Sequence, residues 1–182
     1  MTLPTIGLFY GSSTCYTEIA AEKIQDLLKE YATVELHNVA SCEVSLMENY
    51  RYLILGIPTW DYGELQEDWE NQWPALADVE LKGKTIALYG LGDQIGYPEW
   101  FQDALGYLYQ KIVEQNAEVI GFWPTDGYQY TSSLAISDPE NKNETLFVGL
   151  ALDDETEFDK SEERLQRWCQ QLLTEFGFIC DE

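Results

Sequence analysis

TIGLFYGSSTCYTEIAAEKIQDLLKEY, residues 5–31, holds a strand, a turn and a helix in direct succession. TIGLFY (5–10) is a continuous apolar run, as expected of a strand buried on both faces of a parallel sheet. GSSTCYT (11–17) is a turn of small and hydroxyl residues. TEIAAEKIQDLLKEY (17–31) then places Ile19, Ala20, Ile24, Leu27 and Leu28 on one helical face, with charges opposite. A strand fed through a short turn into an amphipathic helix is the first half of a βαβ unit.

Further along the chain the pattern repeats. TVELHNV (33–39), YRYLILGI (50–57), KTIALYGL (84–91) and EVIGFW (118–123) read as further strands, the last as the start of one. EDWENQWPAL (67–76), EWFQDALGYLYQKIVEQN (99–116) and SEERLQRWCQQLLTEFG (161–177) read as helices. Trp69 and Trp73 pack toward the core, Ser161 is a plausible N-cap, and Gly177 marks the last helix's end. Alternating strands and helices give a doubly wound α/β domain with a five-stranded parallel sheet of order 2-1-3-4-5. The polar tract PTDGYQYTSSLAISDPENKNE (about 124–144) precedes the apolar run TLFVGLAL (145–152), so it is read as an insertion splitting the fifth strand.

The chain has 182 residues, suited to one domain with a real core. Its 33 acidic residues against 10 basic ones give a net charge of −23, which argues against nucleic acid and anionic membranes. That balance favours a basic protein partner, besides keeping the chain soluble. No apolar stretch reaches the roughly 20 residues that span a bilayer, and MTLPTIGLFYG has no basic leader, so a cytoplasmic monomer is expected. Cys15, Cys42, Cys169 and Cys180 show no metal-ligand spacing and read as free thiols. His37, the single histidine, reads as a strand residue with no nucleophile elbow nearby, which argues against a Ser-His-Asp triad. The acids mark no metal site, because they are spread over the whole chain.

In such a sheet, ligands bind beyond the carboxyl ends of the strands, where the strand order reverses. Strands 1, 3 and 4 end there in GSSTCYT (11–17), PTWDYGE (58–64) and GLGDQIGY (90–97). The first loop offers backbone N–H groups, a helix N-terminus and the hydroxyls of Ser12, Ser13, Thr14 and Thr17, which together suit an anion. It lacks the lysine of a triphosphate-binding P-loop and the G-x-G-x-x-G of a dinucleotide fold, so a monophosphate fits better. On its own the turn would also serve as simple helix capping. Trp60 and Tyr97 are aromatics at the other two strand ends, with Gly63, Gly92 and Gly96 letting backbone approach a flat ring. A heterocycle between two aromatics, with its phosphate on the first loop, describes flavin mononucleotide (FMN). A phospho-receiver domain is excluded, because strand 1 ends in Gly-Ser-Ser and strand 3 in Ile57-Pro58-Thr59.

GLFYGSSTCYTE, PTWDYGELQEDWE, YGLGDQIGYPEWFQDALG, WPTDGY and FVGLALD resemble the long-chain flavodoxins over essentially the whole chain. The resemblance implies a flavodoxin-like fold, with the last two motifs flanking the insertion of the long-chain class. The pair Cys15–Tyr16 departs from the commoner T-G-x-T ending of the phosphate loop and is similar to a flavodoxin B-like subgroup. By the same resemblance, Ser12, Ser13, Thr14, Tyr16, Thr17 and the backbone of Cys15 hold the phosphate. Trp60 lies on the inner face of the ring and Tyr97 on the outer. Pro58, Thr59, Asp61, Tyr62, Gly63, Leu91, Gly92 and Asp93 line its edge, with Gln102 and Glu155 near the ribityl chain. Cys15 either fills a position where relatives use glycine or is a redox-sensitive thiol at a helix N-terminus.

The resemblance implies an electron carrier rather than an enzyme, working between a basic NAD(P)H-dependent flavodoxin reductase and acceptor redox enzymes. The alternative is a flavodoxin-fold NAD(P)H:quinone oxidoreductase, for which no second nucleotide site is evident. Glu64, Glu67, Asp68 and Asp93 lie near the expected ring site in sequence. At roughly 10 Å and an effective dielectric of about 40, each carboxylate opposes added negative charge by about 0.8 kcal/mol, or about 35 mV. Salt screens the exposed part, so the lower potential is expected to rise with ionic strength.

Overall fold

The computed structural model describes residues 2–137 and 145–180. Strand β1 (Thr5–Tyr10) leads into helix α1 (Tyr16–Leu28), followed by β2 (Thr33–Asn38), a 3-10 turn (Val44–Asn49) and β3 (Tyr52–Trp60). After β4 (Glu64–Leu65) come α2 (Glu67–Leu76), β5 (Thr85–Leu91), α3 (Asp103–Glu114) and β6 (Glu118–Ile120). Strands β7 (Trp123–Pro124), β8 (Leu146–Phe147) and β9 (Leu150–Leu152) precede the last helix, α4 (Phe158–Glu175).

The main sheet runs β2-β1-β3-β5-β6, with parallel pairing along that path. Counted without the short β4, this is the expected 2-1-3-4-5 order. Its strands are apolar on both faces because helices cover both. Consecutive β5 residues point to opposite sides. Tyr89 reaches α1, its hydroxyl donating to Thr17 O at 2.8 Å, and meets Trp168 of α4. Gly90, next along, lies against Gln102 at the start of α3.

The fifth strand is split, as expected, but more widely. Gly121, at φ 81°, ends β6 after Ile120. EVIGFW is therefore not one strand, because Trp123–Pro124 pairs antiparallel with Leu146–Phe147 in a separate two-stranded sheet. Only β9 returns to β5, pairing Tyr89–Leu91 with Leu150–Leu152 beyond the positions that β6 covers. The insertion thus occupies 121–149, and its expected stretch 138–144 lies outside the described residues.

Three helix expectations need correcting. Ile19 is 37% exposed, because Ala20, Ala21, Ile24 and Leu28 fill the buried stripe of α1. α3 starts at Asp103 rather than Glu99, since Gln102 is left-handed at φ 62°. Ser161 is not a cap: α4 begins at Phe158, and buried Ser161 donates its hydroxyl to Asp154 Oδ1. Gly177 does end that helix, at φ 79°.

Candidate functional site

β1, β3 and β5 are adjacent, and a cleft opens at their carboxyl ends. Thr14 and Tyr16 of the first loop line it, as do Pro58, Thr59, Trp60 and Asp61 from the end of β3. Leu91, Gly92, Asp93 and Tyr97 come from the β5 end, with Asp154 and Glu155 from the segment after β9.

The first loop is held from beneath by uncharged groups. Gln66, 1% exposed, donates to Ser13 Oγ at 3.1 Å, while Trp69 Nε1 donates to Gly56 O at 2.9 Å. Gly11 N–H bonds Gly56 O at 3.3 Å, joining the loop to β3. Cys15, the N-cap of α1, is exposed and left-handed at φ 68°. Thr17 is 1% exposed, its carbonyl accepting from Tyr89, so its side chain is part of the core. Ser12 Oγ is buried without a hydrogen-bond partner among the described residues. A buried hydroxyl in that state costs about 1–3 kcal/mol, so a site that seats an anion there gains what the fold alone forgoes.

The second loop is a hairpin, which the sequence reading missed. β4 pairs antiparallel with the end of β3, Thr59 with Leu65 and Trp60 with Glu64. Asp61 at φ 43° and Gly63 at φ 86° close it. Trp60 Nε1 is buried and also has no partner among the described residues. Tyr62, 67% exposed, stands edge-on to Tyr97 and Trp100 at centroid distances of 6.1 and 5.0 Å.

The third loop folds around carboxylates. Asp93 Oδ1 accepts from Ile95 N at 3.0 Å and Gly96 N at 2.7 Å, and the Asp93 carbonyl accepts from Tyr97 N at 3.0 Å. Asp153, fully buried, accepts from Gln94 N at 3.1 Å and Gln94 Nε2 at 2.9 Å, and from Thr156 N at 2.9 Å. Gln94 Oε1 in turn accepts from Gln129 N of the insertion at 2.5 Å.

The cleft therefore collects most of the expected residues but not all. Gln102 is fully buried behind it, donating to Gly90 O and Leu152 O at 3.1 Å each, and so stitches β5 to β9. Ser12, Ser13 and Cys15 belong to the loop without lining the cleft, whereas Glu155 does line it. Asp154 was missed. Burial pushes its carboxyl above the usual range, opposed by the Ser161 hydrogen bond and Lys23. One acid in an acidic chain carries no sequence mark, and only the fold brings it to the cleft.

A flavodoxin family model matches residues 8–168. Flavodoxin 2 of Escherichia coli is 55% identical over 172 residues, covering 94% of this chain and 96% of that protein. A flavodoxin of Nostoc sp. is 45% identical over 174 residues, covering 94% and 97%. Among solved structures, a Fusobacterium nucleatum flavodoxin bound to flavin mononucleotide superposes with a TM-score of 0.86 at 34% identity, over 95% of this chain and 99% of that one.

Proposed function

The chain belongs to the flavodoxin family and is an electron-transfer flavoprotein; from that premise we propose that the cleft between Trp60 and Tyr97 is its FMN site. One observation supports this most: Ser12 Oγ and Trp60 Nε1, buried and unpartnered among the described residues, stand on two loops that meet at one cleft. The residues fit the group. The turn 12–17 takes the phosphate on backbone N–H groups, hydroxyls and the helix end, without a cation. Trp60 and Tyr97 hold the ring by stacking and keep water from it. Asp154 and Glu155 face the ribityl chain. Bound FMN supplies the redox chemistry, taking and giving electrons one at a time.

The chain's residues tune that chemistry through charge. Asp61 and Glu64 are exposed on the hairpin and Asp93 half-buried on the third loop, so their charge opposes the gain of an electron in the cleft. Exposed Tyr62 (67%), Ile95 (55%) and Tyr97 (37%) form an apolar patch amid these acids. Such a surface suits brief contact with a basic NAD(P)H-dependent reductase and with acceptor redox enzymes, the carrier acting as a cytoplasmic monomer. A quinone oxidoreductase is not favoured, the named relatives being flavodoxins.

The purified protein's absorption spectrum tests the site. Flavin bands that survive gel filtration are expected, and a colourless protein that ignores added FMN defeats the reading. Ser12→Ala is expected to weaken FMN binding about tenfold while stabilising the apoprotein by about 1 kcal/mol, since it removes an unsatisfied hydroxyl. Reduction by such a reductase is expected to slow steeply with salt, and a flat dependence excludes steering.

A further inference from the structure

The N-terminus of α3 stands directly behind the turn of the β3–β4 hairpin. Ala104 N donates to Thr59 Oγ1 at 3.0 Å. Asp103, one residue earlier, is only 5% exposed. The hairpin backs onto it so closely that a Cβ on Gly63 would lie 2.9 Å from Asp103 Oδ2. Its other oxygen, Oδ1, accepts the N–H of Leu134 at 2.8 Å. A single buried carboxylate therefore touches the ring hairpin and the insertion at once. The insertion runs this close to α3 because residue 106 is glycine, whose Cβ would otherwise meet the Leu134 carbonyl oxygen at 2.4 Å.

Holding this geometry does not require a charge. Asparagine has the same size and offers the same acceptor to Leu134 N–H, without the desolvation that an ionised carboxylate bears. Burial pushes the Asp103 carboxyl above its usual range, opposed by the Leu134 bond, so the charge is held at a cost. The helix N-terminus offsets part of it. What a carboxylate adds is a negative charge behind the ring hairpin that solvent and salt screen little.

Resting on the FMN reading above, we propose that Asp103 is a positioning residue for the ring hairpin whose negative charge, and not only its shape, sets the potential at which the site accepts its last electron. The carboxylates of Asp61 and Glu64 act on the same step from the solvent side, where salt weakens them. Asp103 acts from the protein side, where it does not. The two sets are separable by ionic strength.

The experiment compares Asp103→Asn with Asp61→Asn in the FMN-loaded protein, reading the more negative one-electron midpoint at low salt and at 1 M salt. For Asp103→Asn the binding preference for the reduced cofactor is expected to rise at least threefold, about 28 mV at 59 mV per tenfold, and to persist in 1 M salt. For Asp61→Asn the rise is expected to fade in salt. A ratio for Asp103→Asn within 1.5-fold of the parent, or a shift that salt abolishes, overturns the proposal. Should asparagine not fold beside Gly63, Asp103→Ser is smaller, keeps an acceptor for Leu134 and carries the same test. Failure to take up FMN at all would instead defeat the cofactor reading, so the two failures are distinct.

Discussion

Beneath the turn 12–17 the supports are neutral: the Gln66 amide under Ser13, the Trp69 indole on Gly56, and the Tyr89 phenol on Thr17. Beneath the ring-side loops they are carboxylates: Asp93 folding its own turn, Asp153 under Gln94, and Asp103 behind Gly63. On the FMN reading proposed above, one end of the cleft receives a phosphate, and a carboxylate there would repel it. On the same reading the other end makes an added electron costly, and carboxylates do so. Carboxylates do stand near the turn, Asp68 accepting from the same Gln66 amide at 2.6 Å and Glu18 lying in the first turn of α1, but the groups that bond the turn directly are uncharged.

The sharpest way to break this contrast is at Asp153. Its fully buried carboxylate ties the third loop at Gln94 to the segment after β9, where Thr156 Oγ1 adds a further hydrogen bond at 2.5 Å. Asp153→Ala leaves several buried donors unpaired and is expected to cost about 4 kcal/mol in urea unfolding of the apoprotein. Gln66→Ala, at the neutral end, is expected to cost about 1–2 kcal/mol. Equal losses would mean that the two ends do not differ in how they are held.

The hairpin gives the next largest effect. Gly63 and Gly83 share nearly the same φ, 86° and 81°, but a Cβ at Gly83 meets nothing within 4 Å, while one at Gly63 meets Asp103. Gly83→Ala measures the conformational penalty alone, about 1 kcal/mol. Gly63→Ala adds the collision and is expected to reach about 3 kcal/mol, with weaker FMN binding. If the two variants matched, Asp103 would not brace the hairpin.

The neutral end was largely legible in the sequence because its parts are consecutive. An apolar strand, a hydroxyl-rich turn and a helical stripe sit side by side in residues 5–31. The ring end was legible only in its aromatics and glycines. The β3–β4 hairpin escaped because one of its strands has two residues and its turn uses a left-handed aspartate in place of a glycine. Asp103 and Asp153 escaped because their partners, Leu134 and Gln94, are remote in sequence. The surplus of acids, 33 in all, hides the few that the fold buries. Ser161 misled for a similar reason: a serine before a helical run resembles a cap until Asp154 is seen to take its hydroxyl.

Acid separates two kinds of sheltered carboxylate. For Glu157 burial alone would raise the pKa, but hydrogen bonds from Lys160 and Arg164 draw it down to about 2 from 4.5. The Lys160 bond is 2.6 Å and the Arg164 bridge 2.7 Å, and Arg164 also stacks on Tyr128 of the insertion at 4.2 Å. With its folded pKa depressed, Glu157 contributes stability that is full above 4.5 and is lost as pH falls toward 2. Asp103 and Asp154 have the opposite sign. Their folded pKa values are raised above 3.8, so what they contribute is full below that value and is lost as pH rises through the folded values. Stability measured against pH is expected to lose its acid limb in Glu157→Gln. Asp103→Asn is expected to gain on the parent as pH rises through the Asp103 pKa. A parallel offset for both variants at every pH would contradict these assignments.

The smallest effect is expected at the neutral end, at Cys15. Its φ of 68° is a conformation that an L-residue adopts at a penalty of about 1–2 kcal/mol, and glycine escapes most of it. Glycine also enlarges the unfolded ensemble, which offsets part of the gain. Cys15→Gly is therefore expected to stabilise the apoprotein by about 0.5–1 kcal/mol in urea unfolding. FMN affinity should be nearly unchanged, because only the backbone at this position is assigned to the phosphate. A large fall in affinity would give the thiol a part in binding, and the neutral end would then owe its anion site to a side chain as well as to its backbone.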